Sequence, residues 1–207
     1  MSDVTGFQDI SPTTLADVLG REQVMDIGIR PLWQPMPRIA GPAFTVRCPP
    51  GGNLMLHAAI YRAEPGSVVV VEAGDVDFAV AGGNVCAVAR RRGIAAFVVD
   101  GVIRDLAEVR EMGFPVFARG VIPVPGVKEG VAPLNGPVRC GGVKVSAGDI
   151  VVADEEGIVV TPGGRREQVL ADARAKQAKE AGESHDAWEA AHRARIDTIL
   201  AGNGFQG

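Results

Sequence analysis

The sequence predicts an α/β fold built around a partly parallel sheet. Between residues 43 and 118, apolar strand segments alternate with amphipathic helical segments, and this order places strands side by side with helices crossing over them. The segment "SVVVVE" is apolar without alternation, as in a strand that is covered on both faces. Glycines stand where helical segments end, at Gly93 and Gly113. These three observations together predict the fold class.

The predicted elements follow in order along the chain. A short helix begins after Ser11, a capping residue followed by a proline, and residues 31–37 form a proline-rich loop. The α/β part has strands at 43–48, 67–72, 95–100 and 115–118 and helices at 53–62, 84–92 and 105–112. After Gly120 the pattern is typical of antiparallel hairpins, with short strands at 137–140, 143–145, 150–153 and 157–161. Helices are predicted at 163–181 and 184–200.

This order divides the chain into a domain at residues 1–162 and a helical C-terminal tail at 163–207. We expect the tail to pack at a subunit interface. Its second helix carries a stripe of Trp188, His192, Ile196 and Ile199 at helical spacing.

Composition excludes several classes of function. The 207 residues carry a net charge of −4 without a basic stripe, so we expect no nucleic-acid partner. No apolar run approaches the ~20 residues that a membrane span requires, and no basic-then-apolar leader is present at the N-terminus. Cys48, Cys86 and Cys140 are too few and too widely spaced for a disulfide framework. We therefore expect a cytoplasmic protein with reduced thiols and no membrane association.

Two candidate site segments fall where strands end and helices begin, which is where parallel α/β proteins bind ligands. Gly82-Gly83-Asn84-Val85 opens a helix, whose free amides and partial positive charge suit a carboxylate. Arg104 can hold the same anion through two hydrogen bonds, and Asp105 can hold a hard divalent cation. The segments predict a site for a small 2-oxo acid. The alternative is that Asp105 caps its own helix and Arg104 is an ordinary surface residue.

Other polar residues have simpler interpretations. His57 lies on a helix face among apolar residues and is expected to be packed and hydrogen-bonded. Asp75 and Asp77 can reach the site from a loop, but turn formation explains them better. The acidic run 154–156 lies between two short strands, so a hairpin turn is expected there rather than a metal site.

Four stretches resemble the RraA-like family, which includes class II 4-hydroxy-4-methyl-2-oxoglutarate/4-carboxy-4-hydroxy-2-oxoadipate aldolases and regulators of ribonuclease E activity. They are "RIAGPAFTVRC", "GGNLMLHAAIYRAEPGSVVVVEAG", "AGGNVCAVARRRGIAAFVVDGVIRDLAEVREMGFPVFARG" and "AGDIVVADEEGIVV". The resemblance implies a layered αββα core of the swivelling-domain type, assembled as a homotrimer or as a homohexamer of two trimers.

The resemblance also implies an activity and roles for the site residues. The activity is a lyase that depends on Mg²⁺ or Mn²⁺ and cleaves a C–C bond of a 2-oxo acid, giving pyruvate through an enolate that takes a proton from solvent. Arg104 matches the arginine that binds substrate and stabilises the enolate, and Asp105 matches the metal ligand. Gly82 to Val85 match the loop whose amides bind the substrate carboxylate. The alternative within the family is a non-enzymatic regulator that binds a ribonuclease or another protein.

The sequence departs from the aldolase pattern at one position that matters. That pattern has an acidic residue separated from Arg-Asp by twenty residues, and the equivalent position here is Gly83. Gly52 likewise stands where relatives often have Asp. We therefore expect oxaloacetate decarboxylation to be favoured over cleavage of 4-hydroxy-4-methyl-2-oxoglutarate. Glu180 matches, on a loose alignment, a carboxylate that relatives offer across the subunit interface.

Overall fold

The computed structural model describes residues 4–205 and confirms the predicted α/β class with helices at the C-terminal end. The outermost residues of the predicted domain and tail, 1–3 and 206–207, lie outside the described range. The strands are β1 (Arg30–Pro31), β2 (Ile39–Arg47), β3 (Val68–Glu72), β4 (Ala96–Ile103), β5 (Val116–Val121), β6 (Val138–Cys140), β7 (Val143–Val145), β8 (Ile150–Asp154) and β9 (Gly157–Thr161). The helices are α1 (Pro12–Leu19), α2 (Leu54–Ala59), α3 (Gly83–Arg91), α4 (Leu106–Glu111), α5 (Arg166–Ala181) and α6 (His185–Gly202).

The strands form a seven-stranded sheet in the order β1-β5-β4-β3-β2-β8-β9, and β6 pairs with β7 in a separate hairpin. Strands β2, β3, β4 and β5 are parallel, as the alternating segments predicted. The short β1 was not predicted, because its two residues belong to the segment around the proline-rich loop. It pairs antiparallel with β5, with Pro31 opposite Phe117.

Strand β2 joins two halves of the sheet. Its first residues, from Ile39 to Pro42, pair antiparallel with β8, and the following residues, from Ala43 to Arg47, pair parallel with β3. The two halves enclose one apolar cluster, to which β3 contributes Val68 and β8 contributes Val151. This sharing of one strand produces the two inner layers of the predicted αββα arrangement.

Helices cover the outer faces of both halves. Along β3, Val69 and Val71 belong to the cluster shared with α2, α3 and α4, whereas Val68 and Val70 face the other half. This alternation of burial follows from the two-residue period of a strand. Full burial of a valine side chain is worth about 1.5–3 kcal/mol. The valine run therefore fixes β3 as a central strand between the two cores.

The C-terminal helices differ in their packing. Helix α5 buries Val169 and Ala173 in a cluster that also contains Leu15 of α1 and Val152 of β8. Helix α6 has no buried residue, and Trp188 and Ile199 are exposed along it. In the part of the chain that the structure describes, no helix combines the length and apolarity needed to cross a bilayer.

Candidate active site

Strand β4 extends to Ile103, beyond the predicted end at Asp100. The pairing of β4 with β5 shifts between Val99 and Val102, so the strand is irregular around Gly101. A Cβ on Gly101 would lie 2.5 Å from the Cβ of Ala73, which explains why glycine stands at the irregularity. The end of β4 therefore places Arg104 and Asp105, rather than Asp100, at the edge of the sheet where α3 and α4 begin.

Asp100 points to a different part of the molecule. Its carboxylate accepts hydrogen bonds from Arg119 Nε and from the amide of Gly141, which lies at the tip of the β6–β7 hairpin. Asp100 therefore attaches the hairpin to the sheet and takes no part in the predicted site.

Backbone contacts bring the two predicted site segments together. The amide of Arg104 donates to the Ala81 carbonyl at 2.9 Å, and the amide of Val80 donates to the Val102 carbonyl at 3.0 Å. The loop before α3 is thus attached to the end of β4. As a result, Gly82 and Gly83 lie directly beside Arg104 and Asp105.

Asp105 links the starts of two helices. It precedes α4 with a left-handed backbone (φ 60°) and makes no hydrogen bond that caps its own helix. Its Oδ2 instead accepts the amide of Gly83 at 3.0 Å, and it lies 3.5 Å from Arg104 Nε. The structure thus disagrees with the self-capping alternative.

One of the four amides predicted to bind a carboxylate, that of Gly83, is therefore already occupied by Asp105. The amides of Asn84 and Val85 lie in the first turn of α3, where a helix has no intrahelical acceptor for them. These two amides remain oriented for an anion at the start of the helix.

The two glycines are required by packing. A Cβ on Gly82 would overlap the Asp105 carboxylate and lie 3.0 Å from Cγ of Arg104. A Cβ on Gly83 would overlap the carboxylate of Glu108, which is on α4. The carboxylate of Glu108 therefore occupies the space in which a side chain at position 83 would begin. Glu108 is a functional candidate that the sequence interpretation missed, although it follows Asp105 by three residues on the same helix.

A cavity of about 230 Å³ lies at this junction. The predicted residues in its wall are Gly82, Asn84, Val85, Arg104 and Asp105, and Asn53, His57 and Lys128 line it as well. A second cavity, of about 290 Å³, lies on the other side of Arg104 and Asp105, against residues 121–123. Arg104 and Asp105 thus stand between two open spaces, and no hydrogen bond to the Arg104 guanidinium occurs within residues 4–205.

His57 differs from its predicted role as a hydrogen-bonded packing residue. Its side chain is half-buried, lines the cavity, and has no hydrogen-bond partner for its ring among the described residues. Burial lowers the pKa of His57 below its usual range, and the positive charge of Lys128 lowers this pKa further. At neutral pH the imidazole is therefore uncharged. The spacing of His57 is a sequence signal for its place in the cavity. His57 follows Asn53 by one helical turn, and Asn53 lines the same cavity.

The remaining acidic candidates serve structural purposes. Asp75 accepts the amides of Gly51, Asp77 and Phe78, so it forms the turn that was one of its two interpretations. Asp154 pairs with Arg38 at 2.9 Å in the tight turn between β8 and β9, which confirms the predicted hairpin.

The cavity wall contains one carboxylate that could bind a hard divalent cation. Asp105 places one carboxylate there, and no cluster of three or more His, Cys, Asp or Glu side chains suited to a metal exists among the described residues. Mg²⁺ characteristically binds through one or two carboxylates and keeps several waters, so these residues fit such an ion. Cys86 is not among the residues that line this cavity, and burial raises the pKa of its thiol to about 12, with the Asp105 charge adding to the effect.

The fold and the junction define a layered αββα protein in which charged side chains gather where one strand ends and two helices begin. The chain belongs to the RraA-like family, because the family model described as Aldolase/RraA matches residues 9–160.

Relatives with both family names are similar to this chain. A protein of Halalkalibacterium halodurans, provisionally named a 4-hydroxy-4-methyl-2-oxoglutarate aldolase, is 39% identical over 96% of this chain and 90% of its own length. The crystal structure of Streptomyces coelicolor RraAS2, described as an unusual member of the RNase ES inhibitor RraA family, has a TM-score of 0.77 at 30% identity and covers 86% of this chain and 93% of its own. The RNA-processing inhibitor RraA from Thermus has a TM-score of 0.66 at 28% identity, covering 72% and 91%.

Replacing Lys128 with Gln removes a positive charge near His57, so we expect the pKa of His57 to rise. It should stay below the usual value, because burial, the larger cause of the lowered pKa, remains. A ¹H NMR titration of the His57 ring proton in both proteins measures the change. Lys144→Gln, on β7 outside the cavity, is the matched control. An identical His57 titration in wild type and Lys128→Gln would show that the two residues do not interact.

Proposed function

We propose that this protein is a divalent-metal-dependent lyase that cleaves a C–C bond of a small 2-oxo acid and forms pyruvate through an enolate. The observation that carries the proposal is the meeting of Arg104, Asp105 and the start of α3 in one cavity wall. A guanidinium that lines the cavity, open helix amides and a carboxylate for a hard cation are the groups that this reaction requires at one place.

Arg104 and helix α3 bind and orient the substrate. The amides of Asn84 and Val85 donate hydrogen bonds to the substrate carboxylate at the positive end of α3. The Arg104 guanidinium donates to the 2-oxo oxygen, on which negative charge develops as the C–C bond breaks. Fixed donors aimed at such charge stabilise the transition state more than the ground state.

Asp105 would hold the cation, Mg²⁺ or Mn²⁺, and the hydrogen bond that it accepts from the Gly83 amide fixes its carboxylate in place. A bound divalent cation supplies Lewis-acid polarisation of the 2-oxo group. The close approach of Arg104 to Asp105 keeps the guanidinium beside the same oxygen.

Glu108 changes the expectation drawn from Gly83. Its carboxylate lies where a side chain at position 83 would begin, so α4 places an acidic group close to the position at which the aldolase pattern has one. We propose that Glu108 positions the water that removes the proton from the 4-hydroxyl group. Cleavage of 4-hydroxy-4-methyl-2-oxoglutarate is then supported as well as decarboxylation of oxaloacetate.

The proposal includes a homotrimer or homohexamer in the cytoplasm. Helix α6 buries none of its residues within the chain and exposes Trp188 and Ile199, whereas helices in proteins gain most of their stability from packing an apolar face. We propose that residues 163–207 form a tail that packs against a neighbouring subunit. Glu180, which pairs with Lys176 at 2.7 Å within α5, then lies close to that interface.

A non-enzymatic regulator that binds a ribonuclease is the second candidate, favoured by the similarity to the RraA structures. Release of pyruvate from oxaloacetate and from 4-hydroxy-4-methyl-2-oxoglutarate, with Mg²⁺ or Mn²⁺ and again with a chelator, distinguishes the two. Pyruvate above background that disappears with chelator supports the lyase. Equal background rates in both conditions support the regulator.

Arg104→Lys should lower kcat by about 10²–10³-fold, because the ammonium group cannot span the 2-oxo oxygen and the carboxylate as the planar guanidinium does. Steady-state kinetics on oxaloacetate measure the loss, and an unchanged Tm shows that the fold is retained. Near-normal turnover would remove Arg104 from the role of enolate stabiliser.

Asp105→Asn should weaken the response to metal without loosening the site. The amide oxygen still accepts the Gly83 amide, and Asn tolerates the left-handed backbone, but the negative charge is lost. We expect the Mg²⁺ concentration for half-maximal activity to rise by about 10–100-fold. Calorimetric titration of Mg²⁺ into the protein is the direct measurement. The same metal affinity in the variant and the wild type would contradict the assignment.

Glu108→Gln should separate the two reactions. Loss of the carboxylate should slow cleavage of the 4-hydroxy acid by about 10²–10⁴-fold, because that step moves a proton from the hydroxyl group. Decarboxylation moves no such proton and should change far less. Glu111→Gln, on the same helix, is the control and should affect neither reaction. Equal losses on both substrates would argue that Glu108 only supports the structure.

A further inference from the structure

Four ionisable side chains line the cavity: His57, Arg104, Asp105 and Lys128. If the proposed lyase reaction holds, every turnover leaves an enolate that must gain one proton at C3 before pyruvate departs. The composition of the cavity wall restricts which side chain can deliver it.

Three of the four are poorly suited to that transfer. Arginine stays protonated at any accessible pH. Asp105 is already engaged, because it accepts the Gly83 amide and lies 3.5 Å from Arg104 Nε. Lys128 is exposed to solvent, and its amine stands at the end of a flexible four-carbon side chain. Histidine is the side chain that gains and loses a proton near neutral pH.

His57 is held in a defined position while its ring stays free. The helix that carries it begins at Asn53, whose amide donates to the Val127 carbonyl at 2.8 Å and whose Nδ2 donates to the Gly126 carbonyl at 2.8 Å. The start of α2 is therefore attached to the loop that leads to Lys128. Within residues 4–205 the ring of His57 has no hydrogen-bond partner, so it is available to a bound substrate.

The surroundings of the His57 ring favour its role as a proton donor. Lys128, in the same cavity wall, opposes the protonated form of His57. Together with burial, the net result is a lowered pKa. An imidazolium formed here is a stronger acid than one in water and gives up its proton readily.

We infer that His57 is the acid that protonates C3 of the enolate, and the base that removes a C3 proton from pyruvate in the reverse direction. The electron pair of the broken C–C bond enters the enolate. It then forms the new C3–H bond with the proton from the imidazolium, and the 2-oxo group is restored. The neutral imidazole takes its next proton from solvent. This role replaces direct protonation by solvent, and it rests on the proposed lyase function.

Exchange of the C3 protons of pyruvate in D₂O tests this step without any C–C cleavage. Wild type and His57→Gln are compared with Mg²⁺ present, with exchange followed by ¹H NMR and oxaloacetate consumption measured in parallel. We expect His57→Gln to lower exchange by about 10²–10⁴-fold. Oxaloacetate consumption should fall much less, with a lag before pyruvate appears because the enol is released and converts in solution. His192→Gln, on exposed α6, is the matched control and should change neither rate.

A second variant distinguishes chemistry from structure. In His57→Ala, added imidazole should restore exchange in a concentration-dependent way, because it supplies the missing acid and base. Normal exchange in His57→Gln overturns the assignment, and so does a parallel loss of exchange and cleavage that imidazole does not restore. A wild-type protein that neither cleaves oxaloacetate nor exchanges pyruvate would remove the proposed function and this role with it. Normal cleavage with normal exchange in His57→Gln would remove only the role of His57.

Discussion

The hydrogen bond from the Gly83 amide to the Asp105 carboxylate is the contact on which the candidate site depends. It joins the start of α3 to the end of β4 and the start of α4, so three elements converge on one carboxylate. Asp105 adopts a left-handed backbone to make it, a conformation that costs about 1–3 kcal/mol in a residue other than glycine. The contact also explains why Arg104 and Asp105 are adjacent in sequence. Asp105 accepts the Gly83 amide, and the Arg104 guanidinium lies beside the same carboxylate, with Nε 3.5 Å from it, while it lines the cavity.

Much of the fold was predictable because it follows from local patterns. The valine run of β3 and the glycines that end α3 and α4 determine burial and helix length within a few residues. The end of β4 was predicted wrongly at Asp100, because continuation to Ile103 depends on the close approach of Gly101 to Ala73. Such an approach between segments far apart in sequence leaves no local signal.

The same distinction applies to the site. Arg104 and Asp105 were found because they follow an apolar segment and precede a helix. Lys128 was not found, because it reaches the cavity only through backbone pairing of its loop with residues 51 and 53. Glu108 was accessible to sequence reasoning, since residues three apart on a helix share a face. Gly83 was interpreted as a missing carboxylate, whereas the structure places the carboxylate of Glu108 over it.

The central claim is that the cavity is complementary to a planar enolate held beside a divalent cation. Oxalate resembles the pyruvate enolate in shape and charge, and enzymes bind such analogues more tightly than substrates. Calorimetric titration of oxalate into the wild-type protein, with Mg²⁺ and again with a chelator, tests this claim most directly. The account predicts binding that requires Mg²⁺ and is tighter than that of pyruvate. Absence of oxalate binding with Mg²⁺ present, or equal binding with the chelator, would contradict it.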